Sequence, residues 1–485
     1  MLEKLGVTKL RTPRSHTSRT ESRMFGAGSL EHIVSRDLTR QSTLFFNIHR
    51  ERLYAAEPRH MYDSKIALIH CWCFQDTVGF FDFASAGSAT AAGAWLIFTM
   101  KLTHSATVLP HVDGICKVTA LAWSPNNRKL AAVTVDRIVH LFDESGERRD
   151  RFTTKPNDKG GTAGPKNYIV RSMAFSPDSD RLAIAQSDNV VFVYKVGINW
   201  DKDFKKKIVN KIFQSSPVTC LVWPSKHPMK CIFGLADGKV KVAMLERNKA
   251  ATLFASDSYV VAMCPSPDGH GVLTGHLNHG VYRCLLEDER GSGGLVVGQI
   301  FTHTTVPYAL AWGQSIVAAG ADGQVSFYHG TGARQGEMLR NFDYSTEASV
   351  KEFGCAVCAP SGRSVVVGNY NKSFVYSFNQ TTGTWDEAGV REVENLLSVT
   401  ALAWKADGSR LALGALCGVV DLYDACLRRV RYRGTFEFTY VSLSEVIIKT
   451  LSTGVSVAVG SKGNFGTLCL LLLLCFYYDW IIYLF

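Results

Sequence analysis

The sequence predicts an all-β chain whose body is a seven-bladed β-propeller, flanked by a poorly ordered N-terminal extension and an apolar C-terminal tail. Three observations predict it. One strand–turn–strand pattern recurs seven times, two columns of marker residues keep step through the copies, and the strands are apolar on both faces. A period of this kind is the signature of a repeat architecture, so it is weighed before any local motif.

The first copy is VTALAWSPNNRKLAAVTVDRIVHLFD (118–143) and the second VRSMAFSPDSDRLAIAQSDNVVFVYK (170–195). Further copies begin at Val218, Val260, Pro307, Phe353 and Val399. The residue closing the first strand of each is Trp123, Phe175, Trp223, Pro265, Trp312, Cys358 and Trp404. Successive markers lie 42 (223→265) to 52 (123→175) residues apart. That is close to the roughly 40–45 residues of a four-stranded blade. A second column, at the tight turn, reads Asp136, Asp188, Asp237, Asn278, Asp322, Asn371 and Cys417. It keeps a separation of 13 (123→136) in five of the seven copies.

The local chemistry agrees with the counting. Val191 and Val193 alternate with Phe192 and Tyr194, so this strand is apolar on both faces and needs cover on both sides. Neighbouring blades supply that cover. First turns such as Pro125-Asn126-Asn127, Pro177-Asp178-Ser179 and Pro267-Asp268-Gly269 have the residues of tight connections. Asp237-Gly238 and Asp322-Gly323 are hairpin signals. The segment 100–109, just before the first copy, is expected to supply the strand that seals the last blade, because a propeller is free of edges only when its ring closes.

Composition narrows the class. Hydrophobic residues make up 46% of the 485 residues and charged ones 20%, enough for a large core. Thirteen cysteines, an odd number without regular spacing, fit a reducing compartment better than a disulfide scaffold. The net charge of +10 is spread out, and its densest run is Lys202, Lys205, Lys206, Lys207 and Lys211. That run reads as a solvated loop; without interleaved aromatics to stack bases, no nucleic-acid partner is expected.

No catalytic, metal or cofactor site is expected. Cys355 and Cys358 have metal-motif spacing, but positions three apart on a strand face opposite ways, and no second pair stands at finger spacing. Cys71 and Cys73 have the same weakness. His276 and His279 flank a hairpin turn, and Gly330 to Gly336 lacks both the spacing and the following helix of a phosphate-cradling loop. The aspartates of the turn column are spread one per blade, whereas catalytic carboxylates must converge on one substrate. Trp123, Trp223, Trp312 and Trp404 read as core packing.

The pattern resembles the WD-repeat family, in a degenerate form that mostly lacks the Gly-His and Trp-Asp pairs. The stretches at 143–156, 174–195, 233–240, 307–312 and 401–429 are similar, more specifically, to the intraflagellar transport family, and within it to the largest peripheral subunit of the anterograde complex. The resemblance runs from about Met100 to about Gly454. It implies a non-enzymatic interaction scaffold needed for cilium assembly, located at the cilium and basal body with a cytoplasmic pool. Its partners would be other transport-complex subunits and ciliary cargo. The family places two propellers before a helical solenoid, so residues 100–434 would be the first propeller and 435–454 the opening of the second. The alternatives are a propeller subunit of another trafficking coat and a tail-anchored membrane receptor.

Both ends depart from the family. Residues 1–99 have no counterpart in it and read as a disordered or mis-annotated extension, too rich in Glu3, Glu21 and Glu31 for a transit peptide. In the tail 455–485, the segment 466–485 has the length and apolarity of a transmembrane helix, with Asp479 its single charge. Leu, Ile and Phe at about −0.5 kcal/mol each outweigh the roughly +3 kcal/mol of one central aspartate. The abrupt change after Gly454 favours a translated intron, and a membrane partner follows only if the tail is genuine.

Overall fold

Strands apolar on both faces cannot rest in a single open sheet, and the chain resolves this by stacking sheet after sheet around a ring. The computed structural model describes residues 7–9 and 100–461, apart from 112–113, 115–116, 159–166, 202–203, 287–296, 381, 393–397, 427, 433 and 443–444. The calls on residues 1–99 as an extension and on 466–485 as a membrane segment, and on Cys71, Cys73 and Lys202, lie outside the described residues. Among the described residues every regular element is a strand, and no helix is long and apolar enough to cross a membrane. Val7–Lys9 is a short strand.

From Met100 onward the described strands include seven four-stranded antiparallel sheets in series. The first comprises Val118–Trp123, Leu130–Thr134, Ile138–Phe142 and Arg148–Thr153, paired as neighbours in that order. In each sheet the first strand is innermost and the fourth outermost. The innermost strands, beginning at Val118, Val170, Val218, Val260, Ala309, Cys355 and Val399, touch one another in that order. The last, Val399–Trp404, returns to touch Val118–Trp123. The cycle is therefore closed.

The closure uses chain from two distant places. The seventh sheet takes its outermost strand from Lys101–Leu109, which pairs antiparallel with Val420–Cys426 from Lys101↔Cys426 to Leu109↔Val420. This is the sealing role expected of residues 100–109. Leu102 and Leu109 are buried against that sheet, and Thr107 donates to the Asp421 carboxylate at 2.5 Å.

Between sheets, small residues let the next blade come close. A Cβ built on Gly414 would stand 2.6 Å from the Val118 Cγ1, and one on Gly234 2.6 Å from Val260 Cγ1. Glycine at the end of the second strand is thus the socket for the valine that opens the next innermost strand. Thr400 adds a polar link, its hydroxyl donating to the Val118 carbonyl at 2.7 Å. The core between the fifth and sixth sheets is aromatic. Phe327 stacks on Trp385 at 4.7 Å and meets Tyr376 edge-on at 5.3 Å, and all three are fully buried. Each such ring contributes about 1.5–3 kcal/mol of transfer free energy, with about 0.5–1.5 kcal/mol more from ring-pair geometry.

Beyond the ring, Arg428–Tyr432, Phe436–Ser442, Glu445–Thr450 and Ser456–Ser461 pair in succession as an antiparallel meander around Phe438, Val446 and Ile448. It begins before residue 435 and runs past residue 454.

Candidate interaction surface

The turn-column carboxylates are occupied by their own backbone. Asp136 Oδ1 accepts from the Ile138 amide at 3.0 Å, and Asp237 Oδ1 from the Lys239 amide at 3.3 Å, with Lys239 Nζ on its Oδ2 at 2.7 Å. Asp322 accepts from the Gln324 amide at 3.3 Å and the Thr304 hydroxyl at 2.6 Å. Asn278 repeats the pattern, accepting from the Gly280 amide at 3.1 Å. Each pins the hairpin between second and third strands. Asp188 differs. Its Oδ2 accepts from the Asn157 amide at 2.7 Å, but Oδ1 is buried without a hydrogen-bond donor, and burial raises the carboxyl above the ordinary range.

The other singled-out residues do not converge either. Cys355 packs with the cluster around Trp404 and Tyr423, and Cys358 with the one around Phe327 and Trp385. Burial pushes both thiols up to about 12, away from the thiolate that ligates metals. His276 ends its strand fully buried, its ring bonded to the Ser258 carbonyl at 3.0 Å and the Thr274 hydroxyl at 3.1 Å. His279 sits in the following turn with a left-handed backbone, φ 69°. Among the described residues no group of His, Cys, Asp and Glu is placed to hold a metal ion. Gly330 to Gly336 forms the connection between Gln324–His329 and Met338–Asp343.

Trp123, Trp223, Trp312 and Trp404 are buried at the ends of their strands. The Trp223 indole donates to the His227 carbonyl at 3.1 Å, whereas those of Trp123, Trp312 and Trp404 are buried without an acceptor. Lys129 is a buried amine that closes a loop. Its Nζ donates to the carbonyls of Val196 (3.0 Å), Gly197 (2.8 Å) and Asn199 (3.0 Å), with the Trp200 ring 4.7 Å away. Burial, then the nearby Lys206 charge, lowers it to about 8, while Asp180 opposes the shift. The lysine run is partly neutralised, Lys206 by Asp150 and Lys211 by Asp158.

A different feature stands out on the surface. In an antiparallel sheet of four strands, the hairpin between strands two and three and the link to the next sheet emerge at the same end. At that end several large apolar side chains are exposed, beside charged ones such as Lys117 and Glu352. Val135, Leu277, Tyr370 and Leu416 sit in the hairpins, and Ile169, Tyr259 and Tyr308 immediately precede innermost strands. Leu277 is 50% exposed, Tyr370 44% and Tyr308 42%. Hairpin and link are held together by the backbone, the Leu277 amide donating to the Tyr259 carbonyl at 2.9 Å. Exposed apolar side chains at one end of a ring make that end the candidate surface for contact with another molecule. The signal was present in the repeats: the residue before each turn marker is Val135, Leu277, Tyr370 and Leu416 in four copies.

The chain as a whole is similar to known proteins. The WD domain, G-beta repeat family model matches residues 104–143 and 161–195, which take in part of the closing strand and the three inner strands of each of the first two sheets. Intraflagellar transport protein 172 of Chlamydomonas reinhardtii is 46% identical over 364 residues, 75% of this chain. The Homo sapiens intraflagellar transport protein 172 homolog is 47% identical over 368 residues, 76% of the chain. The Caenorhabditis elegans intraflagellar transport protein osm-1 is 38% identical over 354 residues, 73% of the chain. The chain spans 19–20% of the length of these relatives.

Proposed function

We propose that this chain, related over three quarters of its length to intraflagellar transport protein 172, is the propeller part of a non-enzymatic scaffold in the intraflagellar transport particle. Its partners are other subunits of that particle and ciliary cargo, its place is the cilium and basal body with a cytoplasmic pool, and its role is cilium assembly. The seven sheets between Lys101 and Cys426 form one propeller of seven blades, and the meander that begins at Arg428 opens a second.

The observation that supports this reading best is identity of 46–49% over a stretch long enough to take in every sheet of the ring. A scaffold must keep a whole surface rather than a few reacting groups. The apolar rim offers such a surface, and the turn-column aspartates are engaged in holding hairpins.

The test is to immunopurify the endogenous protein from ciliated cells with an antibody to residues 117–430, and to identify its partners by mass spectrometry. Transport-particle subunits are expected, together with loss of cilia on depletion. Recovery of vesicle-coat or membrane proteins alone, with cilia intact after depletion, overturns the proposal.

A further inference from the structure

The meander after the ring has two unlike faces, because cross-strand register sorts its side chains. Phe436, Phe438, Tyr440, Val446 and Ile448 share one face, which is its apolar core. Glu437, Thr439, Ile447 and Lys449 share the other, with Arg429 and Arg431 of the strand before them. This second face meets the ring. Thr439 and Ile447 are buried on it. Lys449 Nζ stands 3.5 Å from Glu144 Oε1, in the hairpin between the third and fourth strands of the first sheet. Val441 lies by the first turn of the seventh sheet, where a Cβ built on Gly408 would stand 3.9 Å from its own.

The charged groups at the junction alternate in sign. Arg410 Nε meets Asp424 at 3.1 Å inside the seventh sheet, and Asp424 meets Arg429 Nη1 at 3.1 Å across the junction. In the meander, Glu437 lies 3.0 Å from Arg431 Nε and 3.9 Å from Arg429 Nε. Arg410 also donates to the Glu144 carbonyl, on the residue whose carboxylate faces Lys449. Cys426 ends its strand among these groups. Burial raises its thiol, and the charges of Arg429, Asp424, Arg410 and Glu437 all act on it. The side chains of Asp424 and Glu437 are only 22% and 15% exposed, so solvent screens this network less than an isolated surface pair.

We propose that this ionic clasp locks the meander onto the ring in one orientation, as a rigid joint. Parts of a chain joined by a single link move relative to each other by default. Here Glu144 of the first sheet and Asp424 of the seventh hold the meander from two sides. Glu144 and Gly408 both lie in hairpins at the end of the ring opposite the apolar rim. The joint therefore occupies that end and leaves the rim free for partners. A second propeller opened by the meander would take its orientation from this joint, a consequence that rests on the reading above; the clasp itself does not.

The test uses the full chain. A water-soluble carbodiimide condenses a carboxylate with an amine that touches it, and mass spectrometry maps the amide formed. A Glu144–Lys449 crosslink within the monomer is expected. The second readout is the rate at which iodoacetamide alkylates Cys426, mapped in the same way. Glu144→Lys sets like charges face to face and is expected to speed alkylation by about threefold. Arg429→Gln is expected to speed it by a similar factor, although loss of that cation by itself raises the thiol further and slows the reaction. Added salt acts in the same direction as both variants. Glu337→Gln, in the remote pair with Arg334, leaves the rate unchanged. Absence of the Glu144–Lys449 crosslink, or a Cys426 rate that rises in neither variant, overturns the proposal. None of these outcomes bears on the scaffold reading, which rests on the relatives and the apolar rim.

Discussion

At the scale of single residues, the structure separates side chains that hold turns from those that carry a cost. Asp136, Asp237 and Asp322 each use a carboxylate to satisfy local donors. Asp188 is half-buried with Oδ1 lacking a donor, and burial raises its carboxyl. The native state therefore holds this proton more tightly than the unfolded chain does. The associated stability is present below the unfolded carboxylate value near 3.9 and is lost as pH rises through the raised native value. Asp188→Asn keeps the acceptor for the Asn157 amide and removes the buried charge. Its melting temperature by calorimetry is expected to exceed that of the parent at pH 7, the gap narrowing toward pH 4. An equal or lower melting temperature at pH 7 sinks the argument.

At the scale of elements, two devices set how blades meet. The first is the glycine socket. Placing a Cβ on Gly414 puts it 2.6 Å from Val118 Cγ1 and 2.8 Å from its Cβ, both on the neighbouring innermost strand, which has no slack to retreat. Gly414→Ala is expected to cost about 1–3 kcal/mol in urea unfolding, and Val118→Ala in the same chain to recover part of it. Without that recovery the cost does not come from the socket. The second device is the closing strand. Leu102 is buried and pairs with Ala425, so Leu102→Pro removes a buried side chain and disturbs the ladder at once. A loss of about 3 kcal/mol or more is expected, with Val420–Cys426 left as an open edge prone to association in sedimentation. Unfolding at an unchanged urea midpoint contradicts that role.

At the scale of the whole molecule, the ring turns a local repeat into a surface. No single hairpin exposes more than one or two apolar side chains, yet closure brings Val135, Ile169, Tyr259, Leu277, Tyr308, Tyr370 and Leu416 to one end. Tyr259, Leu277 and Tyr308 lie on adjacent sheets and make the natural target. Replacing all three with Ser is expected to change stability by no more than about 0.5 kcal/mol per site, because exposed side chains contribute little to the fold. Recovery of transport subunits in the immunopurification should fall sharply with the same variant. Undiminished recovery by a normally folded variant moves the contact to another face.

The repeat period, the turn chemistry and the marker columns were legible in the chain because each is a local matter: alternation along one strand, or a carboxylate two residues from the amide it accepts. So was the closing strand, since a ring of sheets demands one and residues 100–109 had the right pattern beside the first copy. Val135, Leu277, Tyr370 and Leu416 stood in register before the turn markers, but the sequence does not separate an exposed valine from a buried one. Charge placement is harder still. Lys211, paired with Asp158 in the folded chain, reads from the sequence alone as one more charge in a solvated run. Alternation and turn chemistry thus determined what each blade is. What the blades present together was decided by packing, because exposure and the meeting of charges across a sheet boundary depend on neighbours that lie far away along the chain.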